Sequence, residues 1–586
     1  MKILMITEKD AANVSLAYVV QAFEIRKDEV IIYAPYCDAS VLRCFDASIP
    51  KLPIGELTEE KIAWCDLIFC STLSSIYLPV IVFTAKKPIF THNYLMNRQI
   101  NWGGDICFAP TRKTVASDYD EYMNYSYIGI GEPKYDYIEK SASSDKRFLF
   151  IDSGHYPFSK EGKKELARIL IDICRKYPDY ELWVKPRFLP NDTVMTHRNV
   201  IHLYNVIQNE SNGNIPKNMV LLNYHEDLMK LIHQSTTVIC MYTTAFVGAV
   251  VAGKGLIIID NLPSADVYDI RHKTYMRARE NMVALGALID YRNIEQLLPD
   301  GVKGTDEYLD FLLEEKEHVA DKICEVCEYL WREYYSKNKF PQKRNSTYRN
   351  YKNDYMPDKD MTWERKISQR FQDYILFKSL ILIDFHVKEK LDIGYVFEKA
   401  KDCSDENGII QEDTFRNFLG NVNYIRDSCI IKNREILLRD KIDSGILLNA
   451  YYLRKKFDEI RKFPVTDIAA YDLYRAFVAF DENNTSLAKM HFIRYFNQSM
   501  EREYNLEISD MPNNKFKAFE TLIGILCQEN EAESVRYYYS ALLNYYSEFY
   551  VLSETDILPF DSQQKKRYDF ICGIRTWLNG ERNIEQ

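Results

Sequence analysis

The stretch KILMITEKDAANVSLAYVVQAFEIRKDEVIIYAP (residues 2–35) contains the pattern that most clearly indicates the fold of this protein. KILMIT and EVIIYAP are short apolar runs rich in β-branched residues, and an amphipathic segment, SLAYVVQAFEIRK, lies between them. A strand, a helix and a second strand in this order are typical of a βαβ unit, in which both strands lie parallel in one sheet. The N-terminus therefore predicts an α/β fold with a parallel sheet.

The same alternation continues to about residue 140 and then begins again. DLIFCST, YLPVIVFTA, KPIFTHN, DICFAPT and YSYIGIG are each predicted as strands, and the polar stretch EKSASSDK (139–146) marks a boundary. Beyond it, RFLFIDSG, YELWVKP, MVLLNY, TTVICMY and GLIIID are predicted strands, with helices that start near Glu226 and Ala245. The pattern predicts two Rossmann-like lobes, residues 1–140 and 141–340, with a cleft between them. Ligands of open parallel sheets bind at the carboxyl ends of the strands.

Residues 341–586 lack the strand pattern. AAYDLYRAFVAFDENN (469–484) and SLAKMHFIRYFNQSM (486–500) form a pair of helical segments with apolar residues at i, i+3, i+4 and i+7. FKAFETLIGILCQEN and AESVRYYYSALLNYYSEFY form a second pair of the same shape. The pattern predicts an all-α domain, either a tetratricopeptide-like repeat array or an irregular helical bundle.

Composition excludes several classes of protein. A chain of 586 residues is too long for one hydrophobic core, and its 46% hydrophobic and 27% charged residues are typical of a globular protein. The net charge of -10 argues against nucleic-acid binding, which needs a basic surface. The 13 scattered Cys are typical of reduced thiols, and the N-terminus lacks the pattern of a signal peptide. We expect a cytoplasmic protein, either free or peripheral at the inner face of the membrane.

One motif at the end of the first lobe suggests a family. YIGIGEPKYDYI (127–138) resembles the strand and Gly-x-Pro-x-x-Asp signature of GT-B transferases that build bacterial surface polymers, here as Gly131, Pro133 and Asp136. These are the teichoic-acid glycerophosphotransferases, the Kdo transferases and related capsule enzymes. The Gly and Pro would turn the chain out of the sheet, and an ordinary turn is the alternative explanation. The resemblance implies a GT-B fold and a nucleotide-activated donor.

A second segment of the first lobe supplies a candidate catalytic residue. KPIFTHNYLMNRQINWGGDICFAPT (87–111) is similar to the family's strand that ends in a His-containing loop. In the relatives this His is commonly followed by Gly and acts as the catalytic base or orients the acceptor, and it falls on His92 here. Asn93 replaces the Gly. An imidazole that titrates near neutrality can accept a hydroxyl proton, whereas a hydrogen-bonded structural His is the alternative.

Two segments of the second lobe could bind a phosphate. In FLFIDSGHYPFSKEGKKEL (148–166), backbone N–H groups around Ser153 and Gly154 could face an anion before a helix, and His155 could add a side-chain contact. ELWVKPRF (181–188) resembles the family's strand and Lys-Pro-His-Pro segment, with Lys185 retained and Arg187 replacing the His. Two cations at a strand end are costly unless they meet an anion or solvent. An ordinary loop and a solvated pair are the alternatives.

VICMYTTAFVGAVVAGKGLIIID (238–260) is the clearest candidate for a donor site. It resembles the family's Asp-Tyr-Ser-Ser and Gly-Lys-Pro segment, which implies that Tyr242, Thr243 and Thr244 hold donor phosphates at a helix N-terminus. Simple N-capping by the Thr side chains is the alternative. Upstream, Asp227 is expected to be an N-cap, and Glu226 is a lesser candidate for a ribose contact.

Together the segments predict a metal-independent GT-B glycosyltransferase, or a polyol-phosphate transferase, in bacterial surface polysaccharide biosynthesis. The expected substrates are a nucleotide-sugar or CDP-linked donor and a glycan or lipid-linked acceptor, with no cofactor and no metal ligands. The helical domain could bind a protein partner or self-associate, and no nucleic acid is expected. The alternatives are a non-hydrolysing sugar-nucleotide epimerase, which would need paired carboxylates, and a non-catalytic scaffold with a GT-B-like fold.

Overall fold

The structure is a computed structural model, and it describes most of the chain. The described residues are 1–7, 12–34, 45–52, 56–71, 78–93, 102–111, 122–136, 138, 145–153, 157, 160–187, 202–223, 226–241, 243, 245–260, 262, 286–381, 383, 391–439, 441–464, 468–500, 512–545 and 562–580.

The first part of the chain forms a parallel sheet. Its strands are β1 (Lys2–Ile6), β2 (Glu29–Tyr33), β3 (Lys51–Leu52), β4 (Leu67–Ser71), β5 (Ile89–His92), β6 (Ile106–Ala109) and β7 (Ser126–Gly129). They lie in the order β7-β6-β5-β4-β1-β2-β3, and every pair is parallel. Strands β4 to β7 are buried along their whole length, which explains why their sequences are continuous apolar runs. The predicted first Rossmann-like lobe is confirmed.

Helices α1 (Ala12–Ile25), α2 (Glu59–Trp64) and α3 (Val80–Thr84) lie between strands of this sheet. The prediction of a strand at YLPVIVFTA was wrong, because α3 occupies it. Strands β4 and β5 are parallel neighbours, so the chain between them must cross back over the sheet. The burial of Val82 and Phe83 in that crossing outweighs the preference of Val and Ile for strands.

The second part of the chain forms another sheet. Its strands are β8 (Arg147–Ile151), β9 (Glu181–Lys185), β10 (Met219–Leu221), β11 (Thr237–Cys240), β12 (Gly255–Asp260), β13 (Leu288–Asp290) and β14 (Val302–Lys303). The order is β10-β9-β8-β11-β12-β13, all parallel, and β14 pairs antiparallel with β12. The associated helices are α4 (Lys160–Lys176), α5 (Leu203–Glu210), α6 (Leu228–His233), α7 (Phe246–Val251) and α8 (Asp306–Leu312). The predicted second Rossmann-like lobe is confirmed.

After the second sheet, the chain returns to the first. Helix α9 (Val319–Glu333) packs against α1, and its buried residues join the core on that face of the first sheet. Three two-residue strands follow around helix α10 (Tyr351–Asp354), namely β15 (Phe340–Pro341), β16 (Ser346–Thr347) and β17 (Pro357–Asp358). Strand β16 extends the first sheet by pairing parallel with β7. Residues after 318 therefore take part in the first lobe, and the predicted limits at 140 and 340 stay predictions.

The C-terminal region is helical. Its described helices are α11 (Trp363–Ile381), α12 (Gly394–Lys401), α13 (Glu412–Gly420), α14 (Val422–Lys432), α15 (Arg434–Leu437), α16 (Lys441–Leu453), α17 (Phe457–Lys462), α18 (Ala469–Asp481), α19 (Thr485–Met500), α20 (Pro512–Gln528), α21 (Ala532–Tyr545) and α22 (Ser562–Leu578). The predicted helix pairs are α18 with α19 and α20 with α21, and the members of each pair pack against one another. The helical region is confirmed, whereas its relation to tetratricopeptide repeats stays a prediction.

Helix α11 joins the helical region to the first lobe. The ring of Phe83 from α3 lies 4.5 Å from Tyr374 of α11 and 5.0 Å from Trp102, centroid to centroid. Alternate residues of β1 face opposite ways: Ile3 joins the core shared with α1 and α9, and Leu4 joins the core shared with α11. The first sheet is thus covered on both faces, and the hydrophobic core on one of them is continuous with the core of the helical region.

Candidate functional site

The carboxyl ends of three strands are level in the second sheet. Lys185 of β9 is opposite Ile151 of β8, and Ile151 is opposite Cys240 of β11. The N–H of Asp152 continues this ladder by donating to the carbonyl oxygen of Lys185 at 3.0 Å. The loops that leave these three strands therefore start side by side at one edge, where parallel sheets bind ligands.

This edge brings together several of the predicted donor-site residues. Ser153 is buried just beyond β8, Lys185 ends β9 with Arg187 exposed two residues later, and Thr243 follows β11. Gly154, His155, Tyr242 and Thr244 lie outside the described residues. Glu226, which is exposed, follows β10 on the far side of β9. The topology brings the ends of these strands to one edge, and their role in one binding site stays a prediction.

Lys185 is a buried cation at this edge. Its side chain is 8% exposed, and its Nζ donates to the carbonyl oxygen of Pro186 at 3.4 Å. Burial lowers the pKa of Lys185 to about 8, although the carboxylates of Glu226 and Asp227 raise it. Because a buried ammonium is costly in free energy, an anion at this edge would stabilise its charged form.

A buried ion pair that the sequence analysis missed lies beside Lys185. Asp152, directly after β8, is 3.6 Å from the Nζ of Lys163 in the first turn of α4, and both side chains are almost fully buried. The signal in the sequence was weak, because Lys163 is one of several Lys residues on an amphipathic helix, on which Lys164 is partly exposed and Lys176 exposed. This pair fixes the start of α4 against the end of β8, which is the segment that carries Ser153.

Thr243 has a local structural partner. Its Oγ1 accepts a hydrogen bond from the N–H of Ala245 at 3.3 Å, just before α7 begins at Phe246. The N-cap of α7 is Ala245, which makes no side-chain capping hydrogen bond, so Thr243 closes a turn before the helix and is not its N-cap. Its hydroxyl can still donate to a ligand, because Oγ1 accepts this hydrogen bond and keeps its own proton. Asp227 is the N-cap of α6, as predicted, and accepts hydrogen bonds from the N–H groups of Met229 and Lys230.

The carboxyl edge of the first sheet holds the other candidate, His92. His92 ends β5 and is 1% exposed, and its Nε2 lies 3.9 Å from Oε2 of Glu132. Burial lowers the pKa of His92, whereas the nearby Glu132 carboxylate raises it. The lowered pKa keeps the imidazole neutral at physiological pH, which is the form that can accept a proton.

Glu132 is a buried carboxylate that the sequence analysis did not single out. Its Oε1 accepts a hydrogen bond from the hydroxyl of Ser15 in α1, and the residue is 1% exposed. Glu132 stands at the variable position between Gly131 and Pro133, so the motif drew attention to its neighbours. An acidic residue just after a buried parallel strand was the available signal, since that position faces the ligand-binding edge.

The motif residues themselves have structural roles. Gly131 has φ +108°, and a Cβ at this position would lie 2.3 Å from the carbonyl oxygen of Glu315, so the close approach of these two segments requires glycine. The carboxylate of Asp136 accepts hydrogen bonds from the N–H groups of Val319 (2.7 Å) and Ala320 (2.8 Å), the first two residues of α9. The motif thus attaches the returning chain to the end of the first sheet.

Asn93, which replaces the Gly of the resembled family, is also part of the sheet. Its N–H donates to the carbonyl oxygen of Phe108 at 2.7 Å, and the residue is fully buried. The ladder between β5 and β6 therefore extends one residue beyond His92. This hydrogen bond fixes the backbone next to His92.

Comparisons with known proteins give structural similarity alone. No family model matches the chain, and no curated protein matches it. Among solved structures, a complex of Staphylococcus aureus MnaA with UDP aligns at 14% identity and a TM-score of 0.39, over 59% of this chain and 99% of that chain. Neisseria meningitidis UDP-GlcNAc 2-epimerase bound to UDP-GlcNAc aligns at 15% and 0.37, over 56% and 100%. Acinetobacter baumannii MurG aligns at 13% and 0.34, over 56% and 100%.

These alignments extend over little more than half of this chain. The assignment of two Rossmann-like lobes followed by a helical region comes from the strand order and pairing described above. Within the described ranges, no helix combines the length and the apolar character needed to cross a lipid bilayer. In the same part of the chain, no three His, Cys, Asp or Glu side chains lie close enough together to hold a metal ion.

Proposed function

We propose that the protein is a GT-B glycosyltransferase, or a polyol-phosphate transferase, that uses a nucleotide-activated donor. The observation that carries the proposal is the edge of the second sheet, where the buried cation Lys185 lies level with the strand ends that lead to Ser153 and Thr243. A buried ammonium beside hydroxyl groups suits a diphosphate, because it provides positive charge and hydrogen bonds in a place of low dielectric constant.

In this proposal each lobe has its own task. The second lobe holds the donor, with Lys185 and Arg187 offsetting the negative charge that develops on the departing nucleotide. The first lobe binds the acceptor, and the neutral imidazole of His92 takes the proton of the attacking hydroxyl. Glu132 would then face a charged imidazolium and stabilise it. Closure of the lobes would exclude water and limit hydrolysis of the donor.

The finer parts of the proposal rest on the resemblance of the motifs in residues 87–138 and 181–260. They are a bacterial surface polysaccharide as product, a glycan or lipid-linked acceptor, independence of metal ions, and a place at the inner face of the membrane. Binding of a protein partner, or self-association, through the helical region is a further part of the proposal.

Donor binding is the first experiment. Thermal shift and calorimetry with UDP-, CDP-, GDP- and CMP-linked donors should identify at least one ligand that stabilises the protein. Lys185→Met should weaken that ligand about tenfold to a hundredfold, since a hydrogen bond to a charged group contributes about 1.5–3 kcal/mol. Lys230→Met is the matched control, because Lys230 is exposed on the nearby helix α6. Equal affinity in both variants would remove Lys185 from the donor site.

The pH dependence of donor binding gives a second readout. Since the pKa of Lys185 is about 8, its charge is lost as the pH rises from 7 to 9, and the affinity for an anionic donor should fall over that interval. Lys185→Met should bind weakly at both pH values with little change between them. A wild-type affinity that is constant from pH 7 to 9 would contradict the assigned role.

Turnover separates the proposed enzyme from the alternatives. His92→Ala should lower turnover about a hundredfold or more and leave donor affinity nearly unchanged, because a general base acts in the chemical step. Product analysis distinguishes a transferase from an epimerase, which would convert the donor sugar without an acceptor. If no nucleotide-linked donor binds at all, the scaffold alternative replaces the proposal.

A further inference from the structure

A basic groove lies in the helical region, between the ends of α14 and α16 and the start of α12. It has a volume of about 590 Å³ and nine lining residues, four of which are cations, Lys432, Arg454, Lys455 and Lys456. None of the nine is acidic. The chain as a whole carries a net charge of -10, so this concentration of positive charge stands out against an acidic protein.

Part of this positive charge is balanced locally and part is not. Arg454 contacts Asp427 at 2.9 Å, and Asp427 also accepts a hydrogen bond from Arg426. Lys432 lies 3.9 Å from the exposed carboxylate of Asp392. In the described part of the chain, no carboxylate pairs with Lys455 or Lys456. The groove therefore keeps a net positive charge.

The position of these cations at helix ends gives a simpler explanation for each helix taken singly. Arg454, Lys455 and Lys456 follow the last residue of α16, where positive charge is favourable next to the helix dipole. Lys432 is the last residue of another helix, α14, and lines the same groove. Two helices thus direct cations into one concavity, which stabilisation of a single helix end does not explain.

Two tyrosine rings lie beside the cations. Tyr424 is 55% exposed, and its ring centroid lies 5.2 Å from the guanidinium carbon of Arg454. The ammonium of Lys432 is 4.9 Å from the ring centroid of Tyr395, which also lines the groove. A ligand with an anionic group next to a ring could contact a cation and an aromatic face together.

We propose that the basic groove is a second ligand site, which binds a phosphate-bearing sugar. The phosphate would lie between Lys432 and Lys456, and the attached ring would lie against Tyr424. The same chemistry occurs in a nucleotide and in a phosphorylated glycan. A concave site of this size suits one molecule, whereas adsorption to a membrane needs no concavity. The proposal does not depend on the transferase activity, because no residue of the groove belongs to the two lobes.

The test is calorimetric titration of the full-length chain, with Lys185→Met present throughout so that the proposed donor site contributes little heat. The probes are inorganic pyrophosphate, glucose 1-phosphate, UDP and a short glycerol phosphate oligomer. The groove variant is Lys432→Glu with Lys456→Glu. The matched control is Lys339→Glu with Lys359→Glu, which changes the net charge equally at exposed positions outside the groove.

At least one ring-bearing phosphate should bind, and the groove variant should weaken it about tenfold or more, whereas the control should not. Preference for UDP or for glucose 1-phosphate distinguishes a nucleotide from a phosphorylated glycan, and preference for the ring-free oligomer would contradict the contact with Tyr424. Tyr424→Ala should weaken glucose 1-phosphate or UDP more than pyrophosphate, since only the ring-bearing probes use the tyrosine face. If the charge reversal unfolds the helical region, Lys432→Gln with Lys456→Gln takes its place.

Three results would overturn the proposal. One is that no probe binds, and another is that the groove and control variants bind every probe equally. The third is binding of phosphatidylglycerol-containing vesicles that needs Lys432 and Lys456 while all soluble probes fail, which would make this surface a membrane contact. Loss of donor binding in an otherwise wild-type background affects the proposed function and leaves the groove untouched, so the two proposals can fail separately.

Discussion

The buried side chain of Arg370 allows a quantitative test of how the helical region is attached to the first lobe. Its Nε and Nη2 donate to the carboxylate of Asp105 at 2.9 and 2.7 Å. Its remaining N–H groups reach the carbonyl oxygens of Phe83 (3.1 Å), Ala85 (2.7 Å) and Lys87 (2.7 Å). Guanidinium has five N–H donors, so all of them are used, and none is left for solvent.

Arg370→Met keeps an unbranched side chain and removes the charge. Asp105 would remain buried with its N–H contact from Ile89 but without its cation, and three carbonyl oxygens would lose a donor. Although burial raises the pKa of Asp105, Arg370 lowers it below its ordinary value, so the wild-type carboxylate is charged. Removal of one partner of a buried ion pair costs about 3–5 kcal/mol, which is the decrease we expect in the free energy of unfolding.

Urea denaturation, followed by tryptophan fluorescence and far-UV circular dichroism, measures this decrease. Arg365→Met is the matched control on the same helix, because Arg365 is exposed, and it should change stability by less than about 0.5 kcal/mol. Arg370→Met combined with Asp105→Asn should cost clearly less than the sum of the single variants, since the double variant leaves no isolated charge. An Arg370→Met protein as stable as Arg365→Met would refute the view that α11 belongs to the core of the first lobe.

Three further predictions concern single carboxylates. Asp136→Ala should lower the free energy of unfolding by about 1–2 kcal/mol, as measured in urea, because α9 loses two hydrogen bonds at its first turn, and wild-type stability would contradict the capping role. Burial raises the pKa of Asp373 to about 7 despite hydrogen bonds from Asn124, so stability should fall as the pH rises from about 4 to 7, by up to about 4 kcal/mol. Asp373→Asn should flatten that profile, and an unchanged profile would show that Asp373 is not its source. Glu132→Gln should lower the pKa of His92, since it removes a carboxylate that raises it, and a histidine NMR titration unchanged by the substitution would place Glu132 outside its electrostatic reach.

Much of the site could be predicted from the sequence because strand ends are local features. His92, Ser153, Lys185 and Thr243 each follow an apolar run, and parallel topology brings the ends of neighbouring strands to one edge. The contacts of Glu132 could not be predicted in this way. Its carboxylate meets His92 and Ser15 through the order β5-β6-β7 and the position of α1, and neither contact follows from spacing along the chain.

The two α/β lobes, the helical region and the strand ends that carry polar side chains follow from local patterns in the chain, because hydrophobic periodicity and turn residues act over short distances. Three other features depend on contacts between segments that are far apart in the chain. The segment at Val80–Thr84 became a helix because its neighbours β4 and β5 are parallel, and α9 returned to the first lobe where Asp136 caps it. Arg370 forms an ion pair with Asp105, 265 residues away in the chain, because a buried cation is stable only where distant segments supply all of its acceptors.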